Sequence, residues 1–237
     1  MKLAFFICLF MGILWRMDDY TEAKKLFDNK QYKASIDICT KELEKLQPKD
    51  SLFEKFLFLR ASSYTELQDF QSGIKDYLVL VQVYPRQISY YVGLSYMYGQ
   101  IGNYKDCISI LEKTLTLEPE NIYTFNNLSY YSSRDGNYNE ALKYADDGLK
   151  FVTDSTWKGA LLSNKGYGLI GLKKYKDALA NINESINLNQ DNSFAYYFRA
   201  IANINLKSFE TVCGDLNKAK SLGAETMTKE LIQQYCH

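Results

Sequence analysis

Six aromatic residues punctuate the chain: Tyr32, Phe70, Tyr104, Tyr138, Tyr175 and Phe209. The intervals between them are 38, 34, 34, 37 and 34 residues. A self-similar period of this length is the mark of a repeat architecture, in which each unit buries its apolar face against the next. The two longer intervals carry extra residues near Gln47–Ser51 and Thr153–Thr156, both polar stretches between units. The stretch 85–119 is the clearest unit. It reads as one helix, a Gly-Asn-Tyr turn and a second helix. The chain is therefore expected to be a stacked helical solenoid, an object made to hold something else.

Small residues keep the same register. Three after each turn aromatic stand Ser35, Gly73, Cys107, Ala141, Ala178 and Val212. Nine before it stand Ala23, Ala61, Ser95, Ser129, Gly166 and Ala200. Small side chains there let two helices approach closely, and the aromatic fills the space beside them. Pro85 and Pro119 stand fifteen after their aromatics, where proline ends one helix and opens the next unit.

These positions resemble the tetratricopeptide repeat. The third unit supplies Tyr91, Leu94, Ser95, Tyr98, Gly102, Tyr104, Cys107, Leu111 and Pro119. The fourth supplies Phe125, Leu128, Ser129, Gly136, Tyr138, Ala141, Ala145 and Gly148. The fifth supplies Leu162, Gly166, Tyr175, Ala178 and Ile182. Cysteine or serine for alanine, and Gln47, Thr153 or Gln190 near the proline position, are departures from the pattern. The fold expected is all-α: an α-solenoid of about six helix pairs over 17–222, closed by a capping helix in 223–237. The spacing predicts helices over 18–29 and 32–46, 51–67 and 70–84, 87–101 and 104–117, 121–134 and 138–151, 156–171 and 175–188, and 193–206 and 209–221. A last amphipathic helix follows Gly223, over 224–235.

Composition narrows the chemistry. The only histidine among 237 residues is His237, the last, so a Ser-His-Asp, Cys-His or histidine-rich metal site is not expected. No CxxC pair is present, and no glycine-rich phosphate loop follows a strand. Lys+Arg and Asp+Glu are both 28, which gives no reason to expect nucleic acid as a partner. No catalytic residue, cofactor or metal is predicted.

At the N-terminus, Leu3–Trp15 is a 13-residue apolar run behind Lys2. It has the size of a signal-peptide core and is short for a membrane span. Residues 1–16 are read as an export signal or an uncleaved anchor, with a buried first helix or a wrong start codon as the rival. Any membrane contact would run through this segment.

Cys39 and Cys107 fall at buried repeat positions, where cysteine acts as a small hydrophobe. Cys213 and Cys236 lie ten and thirteen residues either side of Gly223, so an antiparallel cap would let them meet. The segment CGDLNKAKSLGAETMTKELIQQYC also resembles the C-terminal ends of exported tetratricopeptide proteins of Bacteroidetes, in which a cysteine pair brackets the same pattern. A Cys213–Cys236 disulfide and an exported, periplasmic or membrane-anchored location follow from this reading, with a cytoplasmic location and free thiols as the alternative.

In the family that the chain resembles, the first helix of each pair lines the groove. By register, Tyr96, Tyr123, Asn126, Asn127, Tyr130, Asn164, Tyr167, Phe194 and Tyr197 are the candidate partner-binding residues. Tyrosine offers contact area at low entropy cost, and asparagine can bond a peptide backbone. The family's carboxylate clamp is not expected, because Gly93, Tyr96, Phe194 and Phe198 stand where it needs charge. Arg199 sits at an inward position and calls for a carboxylate or carbonyl partner. The function expected is a non-enzymatic scaffold for a peptide or protein partner in the bacterial envelope. A toxin-neutralising immunity protein and a membrane-tethered spacer are the alternatives.

Overall fold

The computed structural model describes residues 16–236, all helix and short connections. The leader segment Leu3–Trp15 lies outside the described residues. Helix α1 is in place at Arg16 and covers 16–28. It is followed by α2 (Tyr32–Leu43), α3 (Phe53–Glu66), α4 (Phe70–Val83) and α5 (Ile88–Gln100). Then come α6 (Tyr104–Leu117), α7 (Ile122–Arg134), α8 (Tyr138–Leu149) and α9 (Ser155–Gly171). The last four are α10 (Tyr175–Leu188), α11 (Ser193–Asn205), α12 (Val212–Ser221) and α13 (Glu225–Tyr235). Among the described residues, thirteen helices thus stand where six pairs and a cap are expected, and no strand occurs.

One turn is used six times. The residue two before each turn aromatic has a left-handed backbone: Lys30, Gln68, Gly102, Gly136, Lys173 and Lys207, with φ between 59° and 84°. The next residue's N–H reaches back five residues to a carbonyl of the first helix. Examples are Asn103 to Tyr98 at 2.9 Å and Asn137 to Ser132 at 2.8 Å. This is the Schellman closure, which satisfies the carbonyls that a helix end leaves open. The chain then reverses within three residues, and in the first five repeats the turn aromatic starts the partner helix.

The register of small residues is the register of burial. Ala23, Ala61 and Ala200 are fully buried, as are Cys107, Ala141 and Ala178. Gly166 shows why size matters there. A Cβ at this glycine would run into Ile182 on the facing helix α10.

The described chain forms two compact units, one ending at Ile110 and the other starting at Leu111, within α6. The sequence reading treats 17–222 as a single array. In the first unit, Leu57, Ala61, Ile74, Leu80, Leu94 and Met97 form one core, and Ala23, Cys39, Leu52 and Phe56 form another. In the second unit, Leu169, Ala178, Ile182, Ile186, Ala195 and Phe198 pack together. A separate cluster of Ala200, Val212 and Leu216 lies under Leu231, Ile232 and Tyr235 of α13. Helix α13 therefore covers the last repeat, as an end cap must.

Helix α12 departs from expectation. It starts at Val212, three residues later than predicted. Thr211 Oγ accepts from Asn203 Nδ2 at 3.1 Å, and the Phe209 ring leaves the helix to stack on Tyr235 of the cap at 6.0 Å. Contacts with neighbouring elements hold 209–211 out of the helix.

Candidate functional site

Helices α7, α9 and α11 are the first helices of the fourth, fifth and sixth repeats, and they pack side by side, α7 on α9 and α9 on α11. Each is started by an Asx cap. Asn121 Oδ1 accepts from the N–H of Thr124 at 2.8 Å, Asp154 from Trp157 at 3.0 Å, and Asn192 from Ala195 at 3.3 Å. Such caps fix where a helix begins and therefore which residues share a face.

That face carries a cluster of rings. Tyr167 stacks on Phe198 with centroids 4.5 Å apart and planes 6° from parallel. Tyr130 sits 6.1 Å from Tyr167 and meets Phe194 edge-on at 5.7 Å. Tyr197 lies against Phe198 at 5.7 Å. Three helices thus contribute to one aromatic surface. Phe198 is its buried floor, at 1% exposure, and Phe194 is its open edge, at 38%. Offset and edge-on ring contacts stabilise such a surface beyond its burial alone. Burial pushes the Tyr167 phenol up to about 12, with the charge of Arg134 pulling the other way. Burial also raises Tyr197, against the same arginine. Both hydroxyls stay protonated at neutral pH and can donate to a carbonyl.

The expected asparagines behave differently. Asn164 is buried, and its Nδ2 donates to both the backbone oxygen of Asn126, at 3.0 Å, and its Oδ1, at 2.9 Å. Asn126 in turn donates to Asn127 Oδ1 at 3.3 Å. Asn164 therefore fastens α9 to α7 and is not available to a partner. A buried amide needs its bonds met within the protein, and this one meets them there. Asn126 and Asn127 remain half-buried at the rim.

Tyr123 forms a second exposed site with a residue that the sequence reading omitted. Its ring meets Trp157 edge-on at 6.1 Å, and both are more than a third exposed. The insertion at Thr153–Thr156 lengthens α9 at its start and moves Trp157 out of the repeat register. Tyr96 belongs to the first unit. It is 41% exposed and meets Phe70 edge-on at 6.4 Å.

No group of three His, Cys, Asp or Glu side chains that could hold a metal occurs among the described residues. Arg199 has the partner its place demanded, Asp215. The Cys213 and Cys236 Cα atoms are 5.4 Å apart with the sulfurs in contact, inside the range that a disulfide spans.

A family model for the tetratricopeptide repeat matches residues 88–121, which hold α5 and α6. Among solved structures, the Cut9 and Hcn1 hetero-tetramer of the APC/C is similar over 92% of this chain, at 15% identity and a TM-score of 0.66. The chain thus carries a tetratricopeptide repeat at 88–121 and shares the repeat fold along its length. It spans about two fifths of that structure's matched chain, 42%. The C-terminal part of a repeat-containing protein from Cytophaga hutchinsonii is similar over 91% of this repeat protein and 87% of its own length, at 17% identity and a TM-score of 0.58. YrrB, described as a repeat protein with an unusual peptide-binding site, matches 83% of this chain and 97% of its own, at 16% identity and a TM-score of 0.53. No curated protein matches the sequence. At these identities the likeness concerns the fold, an all-α repeat solenoid with an added C-terminal helix.

Proposed function

We propose that this repeat protein is a non-enzymatic scaffold that binds a peptide or protein partner on the aromatic face of α7, α9 and α11. The ring cluster of Tyr130, Tyr167, Phe194, Tyr197 and Phe198 carries the reading. It combines a buried floor, an open aromatic edge and phenol donors on rigid helices. An aromatic anchor ringed by near-neutral contacts is how interfaces concentrate binding energy. The partner segment would be extended and would bring at least one large apolar side chain to Phe194. Little rearrangement of the helices is needed, because the rings are already in place. Repeat folds of this kind are used as binding surfaces, and the neighbour YrrB is itself described with a peptide-binding site.

An envelope location belongs to the same proposal. It draws on the apolar run Leu3–Trp15 and on the approach of Cys213 to Cys236. Among the described residues no helix is long and apolar enough to cross a membrane.

The test is selection of peptides from a displayed random library on the purified protein. Selected sequences should carry an aromatic or large aliphatic residue. Their affinity should fall at least tenfold for Phe194→Ala, about 1.4 kcal/mol or more. Peptides that bind the Phe194→Ala and Tyr130→Ala proteins as tightly as the parent would overturn the proposal.

A further inference from the structure

Helix α13 covers an apolar surface while giving up little of itself. Ala200, Val212 and Leu216 beneath it are fully or almost fully buried. From the cap, only Thr228 and the capping residue Ala224 are buried. Thr228 spends its hydroxyl on its own helix, at the carbonyls of Ala224 and Glu225. Leu231, Ile232 and Tyr235 are only half-buried. One ion pair, Lys220 to Glu225 at 3.4 Å, flanks the turn and does nothing for the far end. That far end rests on the packing of these three half-buried side chains, on Phe209, itself 52% exposed, and on the contact of Cys213 with Cys236 across 23 residues. Both cysteines are half-buried, so a small thiol can reach them.

We propose that Cys213 and Cys236 form a redox latch: their disulfide keeps α13 on the sixth repeat, and its reduction lets the helix leave and uncovers the apolar end face. The reductant is a dithiol. Its thiolate attacks one protein sulfur and the Cys213–Cys236 bond breaks. The second reductant thiolate then attacks the reductant sulfur of the mixed disulfide and expels the remaining protein sulfur as a thiolate. Two electrons and two protons end on the protein as two thiols, and the dithiol leaves as a disulfide. Closing the loop restrains the open ensemble of the 23-residue segment, which is why the bond matters most for a helix with few other ties. The uncovered face adjoins the aromatic surface, since Tyr197 packs against both the ring cluster and the cluster under α13. Redox state would therefore set whether one end of that surface has a wall.

The experiment is hydrogen exchange with mass spectrometry on the full chain: untreated, after dithiothreitol, and as the Cys236→Ser variant. Amides of 226–235 should exchange at least tenfold faster in the reduced and variant proteins, while α7 to α10 keep their protection. Unchanged protection of α13 after reduction would overturn the latch. So would loss of protection throughout the second unit, because the bond would then hold the unit and not the cap. An untreated protein whose mass shows both thiols free would overturn it as well. The readout needs no partner, so it is independent of peptide binding.

Discussion

Arg199 grips Asp215 with a two-pronged contact, Nε to Oδ2 at 2.9 Å and Nη2 to Oδ1 at 2.6 Å, across the hairpin of α11 and α12. Its Nη1 donates to Asn183 on the preceding helix at 3.1 Å. Arg60 and Asp76 repeat the arrangement in the second repeat, at 2.8 and 2.7 Å, with Thr40 as the third partner. Both pairs stand ten before and six after their turn aromatics. In the third repeat the same two places hold Leu94 and Ile110. A buried charge that loses its partner costs far more than the pair contributes. Asp215→Ala should therefore lower stability by about 3 kcal/mol in urea unfolding. The double variant Arg199→Leu with Asp215→Ile should recover most of that loss. Equal destabilisation by the single and double variants would refute the argument.

The left-handed turn residues give a second expectation. Lys173 has φ 61° and carries a Cβ, whereas Gly136 reaches φ 84° without one. An L side chain in this region costs on the order of 1 kcal/mol. Gly136→Ala should destabilise by about that amount. Lys173→Gly should stabilise by roughly 0.5 kcal/mol, because part of the gain is lost to the freer unfolded chain. Thermal melts of the two variants should move in opposite directions.

Ser129 occupies the small-residue position nine before Tyr138, and its hydroxyl is buried with no hydrogen-bond partner. An unmet buried hydroxyl costs about 1 kcal/mol or more. Ala23, Ala61 and Ala200 show that alanine fits this position. Ser129→Ala should be neutral to stabilising by about 1 kcal/mol. A clear loss of stability would show that the hydroxyl is satisfied in solution.

Cys107 is fully buried, and burial pushes its thiol up to about 12 from the usual 9.0. The folded-state value is the higher one. Its contribution is therefore complete below pH 9 and is lost as the pH rises from 9 towards 12, where only the unfolded state ionises. Cys39 is raised to about 12 by burial as well. The melting temperature should fall across that window, and less steeply for Cys107→Ala. At pH 8 neither thiol should react with iodoacetamide until the protein is unfolded. Rapid alkylation of the native protein would contradict the burial.

The aromatic surface separates binding from stability. Phe194 is exposed, while Tyr167 is stacked on the buried Phe198. Removing a fully buried aromatic costs about 3 kcal/mol, so the half-buried Tyr167 should cost part of that, and trimming an exposed ring costs little. Tyr167→Ala should unfold at markedly lower urea concentration. Phe194→Ala should keep its midpoint and lose only peptide affinity.

Most of the fold was legible because it is written locally and repeatedly. The turn aromatics and the small residues at fixed distances each act within one repeat, so one sequence shows the rule several times over. The start of α12 was not legible, because contacts of Phe209 and Thr211 with neighbouring elements decide it. The candidate site was legible only in part. Tyr130, Tyr167, Phe194 and Tyr197 were found by register, and the structure brings them together. Asn164 had the right register and the wrong surroundings. Trp157 escaped because an insertion moved it out of phase.

What the sequence determined by itself is the repeat: its period, its turns and which positions must be small. Those follow from backbone geometry and helix packing, which depend on residue type at short range. What only the tertiary structure decided is how each polar or aromatic side chain is spent. Asn164 bonds a neighbouring helix, Arg199 closes a hairpin, and Phe198 becomes a floor where Phe194 stays open. Register names the face of a helix, but the neighbouring helix decides how much of that face remains for a partner.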